Sequence, residues 1–449
     1  MNQASIELET MIATPTRQKS GEIQFPSYLT PILLSEFTPE SLKDLIGGRR
    51  LFLRGAAFLG QGLANSLSRL GLQVDGFIDK SPRMLGRRLA GRPVFTPQEV
   101  YGRSGLAGEI FVIMASGYWE DEFRAELASA GLAEGRDFIS SFDLTPVCPS
   151  IDVAGVCNLR CQGCPRGNME THPPAGFMSA EVYARVIDKL LRELPFLGEV
   201  QLYTWGEPLL NPELPEIIGH NQARRVISVV STNLNLKSEL VENLAKAGPE
   251  VVRVSCSGWG DNYEITHTGG RWELFLKNTR RLSELNRSLQ AGMEMEFYYH
   301  IYNHNGGEDY EKAKTLAEEL GYVFRPVTAN LYPRESIIDL RRGLDLSPSA
   351  RKQWALLANE AKTMLLGCGE NLLDVPCLEN RTVAINWNLN VRVCGVCYLP
   401  IVADNFLETP LHELIGLVAG SADCAKCAAC GAHAFIKPFT ADQRLVKGN

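Results

Sequence analysis

The chain has 449 residues, room for two or three domains, and its 45% hydrophobic content is ordinary for a globular protein. A net charge of −7 with acids and bases interspersed argues against a general nucleic-acid or membrane-surface binder. No apolar run approaches the ~18–20 residues that span a bilayer, and the N-terminus lacks the basic, apolar, small-residue succession of a secretion signal. The twelve cysteines fall in short local clusters, as metal ligands do rather than disulfide partners, which suits a reducing cytoplasm.

Residues 1–48 read as a lead-in segment with Pro15, Pro26 and Pro31 and no sustained period. Residues 49–146 read as a Rossmann-like domain. A strand at 51–53 runs into a turn containing Gly55, Gly60 and Gly62, then a helix to Leu70, a strand at 72–78 ending at Asp79, and a third strand at 110–114. Glycine-rich turns of this kind let backbone amides approach a phosphate at a helix N-terminus. Ala57 stands where the middle glycine of that fingerprint is expected. The unit resembles the small Rossmann-like domains attached to nucleotide-sugar acetyltransferases and some sugar methyltransferases. That resemblance implies a sugar-nucleotide site at Gly55, Gly60 and Asp79; the alternative is a degenerate scaffold or a module that makes a homodimer.

From 147 to 342 strands and helices alternate, which implies a parallel sheet. The first strand, 151–153, feeds a loop with Cys157, Cys161 and Cys164 in C-x3-C-x2-C spacing. Three thiolates on one loop can hold three irons of a [4Fe-4S] cube and leave the fourth iron open. Ser179 caps a helix whose Val182, Val186, Ile187, Leu190, Leu191 and Leu194 recur with helical period. A second strand at 200–203 ends in Tyr-Thr-Trp-Gly206-Glu207-Pro208. Further strands are expected at 226–230, 251–254, 293–299 and 322–326, with helices from 212 and 238 and at 274–285 and 310–320.

The cysteine loop and the Gly-Glu-Pro run together closely resemble the radical S-adenosylmethionine (radical SAM) superfamily. The resemblance implies a partial (β/α)6 barrel with its chemistry at the C-terminal strand ends. It also implies that the open iron chelates SAM, that Gly206, Glu207 and Pro208 contact the SAM amino group, and that reduction yields a 5'-deoxyadenosyl radical. Relatives carry an aromatic residue just before the third cysteine; here Gly163 stands there, so other contacts must hold the adenine. By the same resemblance Thr232, Asn233, Ser255 and Asn303, at later strand ends, are candidates for the SAM carboxylate or ribose. Hydroxyls and amides suit that role because they hydrogen-bond without competing for iron; the bland alternative is that they cap helices. Tyr299, His300 and His304 lie near the same rim and are candidates for proton movement. Cys256 could return a hydrogen atom to a radical, but strand alternation places it opposite Ser255 and Ser257, facing the helices.

Residues 343–449 are expected to form a C-terminal auxiliary domain. A helix at 349–366 leads to Cys368 and Cys377. Strands at 382–386 and 391–393 join through an Asn-rich turn. Cys394 and Cys397, a short helix at 410–417, and Cys424, Cys427 and Cys430 follow. This succession closely resembles the SPASM and twitch auxiliary-cluster domains of radical SAM enzymes. In them glycine stands at the position of Asn390, which also tolerates positive φ. The resemblance implies a second [4Fe-4S] cluster on Cys377, Cys394, Cys424 and Cys427, with Cys397 and Cys430 spare; a zinc ribbon is the alternative.

The leading expectation is thus an α/β radical SAM enzyme acting on a carbohydrate-like molecule: an aminoglycoside, aminocyclitol or nucleotide sugar. It would dehydrogenate as aminocyclitol dehydrogenases do, or dehydrate as radical diol-dehydratases do, and draw electrons from a flavodoxin- or ferredoxin-like reductant. A peptide-modifying maturase is the second expectation, ranked lower because no winged-helix peptide-binding domain precedes the core. A non-catalytic electron carrier is the third.

Overall fold

The computed structural model describes residues 37–102, 106–116, 119–367, 377 and 379–435. Most of the lead-in segment therefore lies outside the described residues. Its last part is a helix, Pro39–Ile46, rather than loose chain. Thr38 closes it with a capping box, and Leu42 and Ile46, four apart on one face, are buried. One such pair is too short a period to see in sequence.

Two sheets organise the rest. The first has strands β1 (Arg50–Arg54), β2 (Gly76–Ile78), β3 (Arg88–Leu89), β4 (Arg92–Phe95), β5 (Ile110–Met114) and β6 (Phe138–Ser140), in the order β3-β4-β2-β1-β5-β6. Its central strands are apolar and buried, as a parallel sheet covered by helices requires. The strand expected at 72–78 is regular only over Gly76–Ile78. The glycine-rich turn is packed on itself. Gly55 has φ +115, and a Cβ on Gly60 would lie 2.0 Å from the Gly55 carbonyl oxygen. The carboxylate of Asp79 accepts from the amides of Ala56 and Ser81, at 2.9 and 2.8 Å. The chain thus uses Asp79 and the two glycines to tie its own turn, which is what a scaffold needs.

The second sheet holds β7 (Cys148–Asp152), β8 (Glu199–Gln201), β9 (Ile227–Thr232), β10 (Val251–Cys256), β11 (Glu294–Ile301) and β12 (Val323–Thr328), all parallel and side by side in chain order. Helices separate them, giving the expected open (β/α)6 arrangement. The helix Ala180–Glu193 buries Val186, Ile187 and Leu190 completely against this sheet's core, each worth roughly 1.5–3 kcal/mol. The expected helix at 349–366 breaks in two, Pro348–Leu356 and Asn359–Leu366.

The C-terminal part does not stand apart from the barrel. β13 (Thr382–Asn386) joins β7 in parallel, from Thr382 opposite Cys148 to Asn386 opposite Asp152. β14 (Val391–Arg392) and β15 (Ile401–Ala403) then extend the same sheet antiparallel. In the β13–β14 turn the left-handed residue is Leu389, with φ 73, not Asn390. The N-terminal unit is likewise locked on. A Cβ on Gly62 would lie 2.7 Å from the Gly198 carbonyl oxygen, and Arg69 donates to the carbonyls of Pro195, Leu197 and Arg224. Among the described residues no helix is long and apolar enough to cross a membrane.

Candidate active site

A cavity of about 480 Å³ opens where the barrel strands end and where the C-terminal part closes over them. Cys161 and Cys164 line one side; Glu379, Thr382, Gly395 and Val396 line the other. A larger groove of about 970 Å³ runs between the helices Leu214–Ala223 and Ser238–Ala247 and contains no cysteine.

The cysteine loop leaves β7 and carries Cys157, Cys161 and Cys164 as free, part-exposed thiols. Burial, and then neighbouring acidic groups including one another, pushes Cys157 up to about 12, and burial pushes Cys164 to about 11 and Cys161 well above its ordinary value. Three thiols so close together stay protonated unless a cation collects them, which is the chemistry of a metal-cluster ligand set. The amide of Leu159 and the Asn233 side-chain amide face the Cys157 sulfur at 3.5 and 3.8 Å. Among the described residues no three Cys, His, Asp or Glu side chains converge on a single-ion site; an iron–sulfur cube spreads its ligands more widely than one ion does. The residues fit a [4Fe-4S] cluster. Gly163 has a steric reason: a Cβ there would lie 2.4 Å from the Tyr302 hydroxyl. Tyr302, which follows the end of β11, thus occupies the space a side chain at Gly163 would fill, and it lines the cavity.

Gly206 fits because its Cα sits against the chain just after β7: a Cβ would be 1.6 Å from the Ala154 carbonyl oxygen. Asp152 accepts from the amides of Trp205 and Gly206 at 3.2 and 3.1 Å, so β7 holds the run that follows β8. Pro208 opens a short 3-10 turn. Glu207 is 2% exposed and does not line the cavity. Its carboxylate accepts from the amides of Leu209 and Asn233 at 3.2 and 2.9 Å, and Thr232 adds a hydroxyl. Burial nevertheless pushes it up to about 7. The structure thus places the Glu207 carboxylate, expected at the SAM ammonium, on two backbone amides, where it ties the ends of β8 and β9 together.

Strand alternation sorts the remaining candidates. Ser255 lines the cavity, as do Ser231, Arg253, Ser257, Tyr298 and His300. Burial holds His300 down at about 4, so it is neutral at ordinary pH. Tyr299 points the other way. It is 0% exposed, donates to the Asn305 carbonyl and packs on Tyr310 and Phe324. Cys256 is likewise 0% exposed, with its thiol donating to the Gly258 carbonyl. Thr232 is buried on the Glu207 tie, and its hydroxyl accepts from Leu234. Asn233 stands beside Cys157 rather than in the cavity. Asn303 is exposed and donates to Ala355, and His304 stacks on Tyr302 and faces Asn303, so neither lines the cavity. These residues follow the end of β11, where period two no longer predicts direction.

The second thiol group forms from distant segments. Cys377, Cys394, Cys424 and Cys427 act on one another electrostatically. Cys394 and Cys397 share an S–H···S hydrogen bond at 3.3 Å, while Cys430 turns to the Cys427 carbonyl. Cys368 lies outside the described residues. Sequence reading missed two arginines here. Arg334, 3% exposed, donates from Nη1 to the Cys427 sulfur at 3.2 Å. Arg392, 1% exposed, lies two residues before Cys394 on β14. The signal for Arg392 was a lone charge between Val391 and Val393; Arg334 gave none. Trp205 links the two groups, donating from its indole to the Cys397 carbonyl at 3.3 Å and meeting Tyr332 and Tyr398 edge-on.

Comparison with known proteins gives three findings. Residues 151–293 match the family described as the radical SAM superfamily. A PqqA peptide cyclase of Streptomyces rochei is 34% identical over 80 residues, covering 17% of this chain and 21% of that protein, so the match spans about a fifth of the relative's length. Among solved structures, SuiB of Streptococcus suis bound to S-adenosylmethionine is 14% identical over 67% of this chain and 76% of its own, with TM-score 0.42. BtrN in complex with AdoMet and 2-DOIA is 17% identical over 67% of this chain and 89% of its own, with TM-score 0.34. Residues 151–293, which begin on β7 and carry the three-cysteine loop, thus match a radical SAM domain, a kind of domain whose cofactors are a [4Fe-4S] cluster and SAM.

Proposed function

We propose that this radical SAM enzyme abstracts a hydrogen atom from a side chain of a peptide and passes the resulting electron toward a second cluster. When bound, the first cluster and SAM supply the hydrogen-abstracting radical. The chain's own residues do the rest. Cys157, Cys161 and Cys164 hold the cluster; Gly206 to Pro208, fixed by Asp152, shape the SAM pocket; Ser255, Tyr298, His300 and Tyr302 line the space left for SAM and substrate. Neutral His300 can accept or donate a hydrogen bond there without adding charge. Cys377, Cys394, Cys424 and Cys427 would hold the second cluster, and the cavity-lining residues Gly395 and Val396 directly follow one of them, Cys394, in the chain. The reductant would be a flavodoxin- or ferredoxin-like protein. The observation that carries the peptide reading is the 34% identity to a peptide cyclase across 80 residues.

A carbohydrate-like substrate, dehydrogenated or dehydrated, is the second reading. One feature favours it: the cavity is small, about 480 Å³, and lined by hydroxyl, amide and aromatic groups, among them Ser231, Ser255, Tyr298, Asn330 and Tyr332. The test is anaerobic incubation of the reconstituted protein with SAM and a reductant, adding either a peptide library or a panel of aminocyclitols and nucleotide sugars. Rising 5'-deoxyadenosine together with a mass change in a peptide supports the first reading. Stimulation by sugars alone would replace it with the second.

A further inference from the structure

The surroundings of the second thiol group are unusual in charge. Arg392 is 1% exposed, and none of its three guanidinium nitrogens has a hydrogen-bond partner among the described residues. A guanidinium does not lose its proton in a protein, and burying it unpaired is strongly unfavourable. Some anion must therefore accompany it in the working state. The acidic groups that act on it are Asp152, Cys394, Cys397 and Tyr398. Asp152 contributes charge but no hydrogen bond to the guanidinium, its oxygens accepting from the amides of Trp205 and Gly206, and neutral thiols or a neutral phenol add no charge. Arg334, from a different element, is 3% exposed and donates to Cys427. Two buried cations thus converge on one set of thiols. An iron–sulfur cube with four thiolate ligands is anionic in both of its ordinary redox states and supplies the missing charge.

We propose that Arg334 and Arg392 form a buried cationic clamp that offsets the charge of the C-terminal cluster and raises its reduction potential, making that cluster an electron acceptor. The proposal rests on the reading that Cys377, Cys394, Cys424 and Cys427 hold a [4Fe-4S] cluster. Its physical basis is that cationic neighbours and hydrogen bonds to cluster sulfur stabilise the more negative, reduced state, and so raise the potential.

The test uses the full chain with Cys157→Ala, Cys161→Ala and Cys164→Ala, so that only the second cluster remains after anaerobic reconstitution. Redox titration followed by electron paramagnetic resonance gives its midpoint potential. Arg392→Met and Arg334→Met should each disfavour the reduced form at least tenfold, a fall of about 59 mV for a one-electron couple. Arg392→Lys and Arg334→Lys keep the charge and should recover most of that fall. Thermal unfolding separates this from a merely structural role. Arg392→Met should raise the melting temperature of the metal-free chain, where the cation is unpaired, and lower that of the loaded chain. If the triple-alanine chain binds no cluster, the second-cluster reading fails and the clamp with it. If it binds a cluster whose potential is unmoved in both Met variants, or if Arg392→Met destabilises both forms alike, the clamp is overturned while the cluster reading stands.

Discussion

Cys157, Cys161 and Cys164 come from one loop behind β7 and are part-exposed beside the cavity, where the neutral amides of Leu159 and Asn233 face the Cys157 sulfur. The backbone amides of Arg166 and Gly167 donate to Cys164, and the Arg166 side chain adds only its charge. Cys377, Cys394, Cys424 and Cys427 come from segments far apart in the chain; three of the four are buried, and Arg334 donates to the fourth of them in chain order. The contrast teaches a division of labour. A cluster that must bind SAM needs an open iron facing a cavity, so few, local and accessible ligands serve it. A cluster that only exchanges electrons can be closed, insulated and charge-compensated, and that takes the tertiary fold.

The sharpest way to break this comparison is to remove one ligand from the open group. Cys161→Ala should reduce 5'-deoxyadenosine formation to background, because three ligands are the minimum for a cube with one open iron. The chain lacking all three loop cysteines should still bind about four irons. Wild-type SAM cleavage in Cys161→Ala would sink the assignment.

Removing the closed group should spare the first step. Cys394→Ala with Cys427→Ala should lose about four irons, continue to form 5'-deoxyadenosine and yield much less product. Full turnover would reduce the C-terminal part to a structural or substrate-covering role, and tightly bound zinc in anaerobically purified wild type would reject the second cluster.

A smaller effect is expected at Glu207. Glu207→Ala leaves the amides of Leu209 and Asn233 without their acceptor, which should cost about 2–4 kcal/mol in denaturant unfolding and weaken SAM binding indirectly. Weaker SAM binding in calorimetry with unchanged stability would instead restore the direct ammonium contact.

The smallest effect concerns pH. His300 is held at about 4, below the ordinary 6.5, by burial. A base with a depressed folded-state pKa contributes stability above its unfolded pKa and loses it as pH falls. Stability of the wild type should therefore decline between pH 6.5 and 4. His300→Gln should remove on the order of 1 kcal/mol of that decline, since one pKa unit corresponds to about 1.4 kcal/mol and the ring lines an open cavity. Identical acid slopes for the two proteins in urea titrations at several pH values would contradict this.

The sequence by itself determined whatever is local and periodic. The alternation of strands and helices gave the parallel barrel, because a helix repeats at 3.6 residues and a strand at two. The C-x3-C-x2-C loop and the Gly-Glu-Pro run announced the radical SAM domain, because the residues of each motif lie within a few positions of one another. Alternation also turned Cys256 away from the lumen; applied to Tyr299, in register with it on the neighbouring strand, it would have excluded that residue too. Only the tertiary structure decided the rest. It spent the Glu207 carboxylate on two backbone amides, brought Tyr302 to the space left by Gly163, joined β13 to β7 so that the tail completes the barrel's sheet, and placed Arg334 beside Cys427, 93 residues away. Those outcomes depend on which surfaces meet once strands have paired, and neighbours in space that are distant in sequence leave no periodic trace.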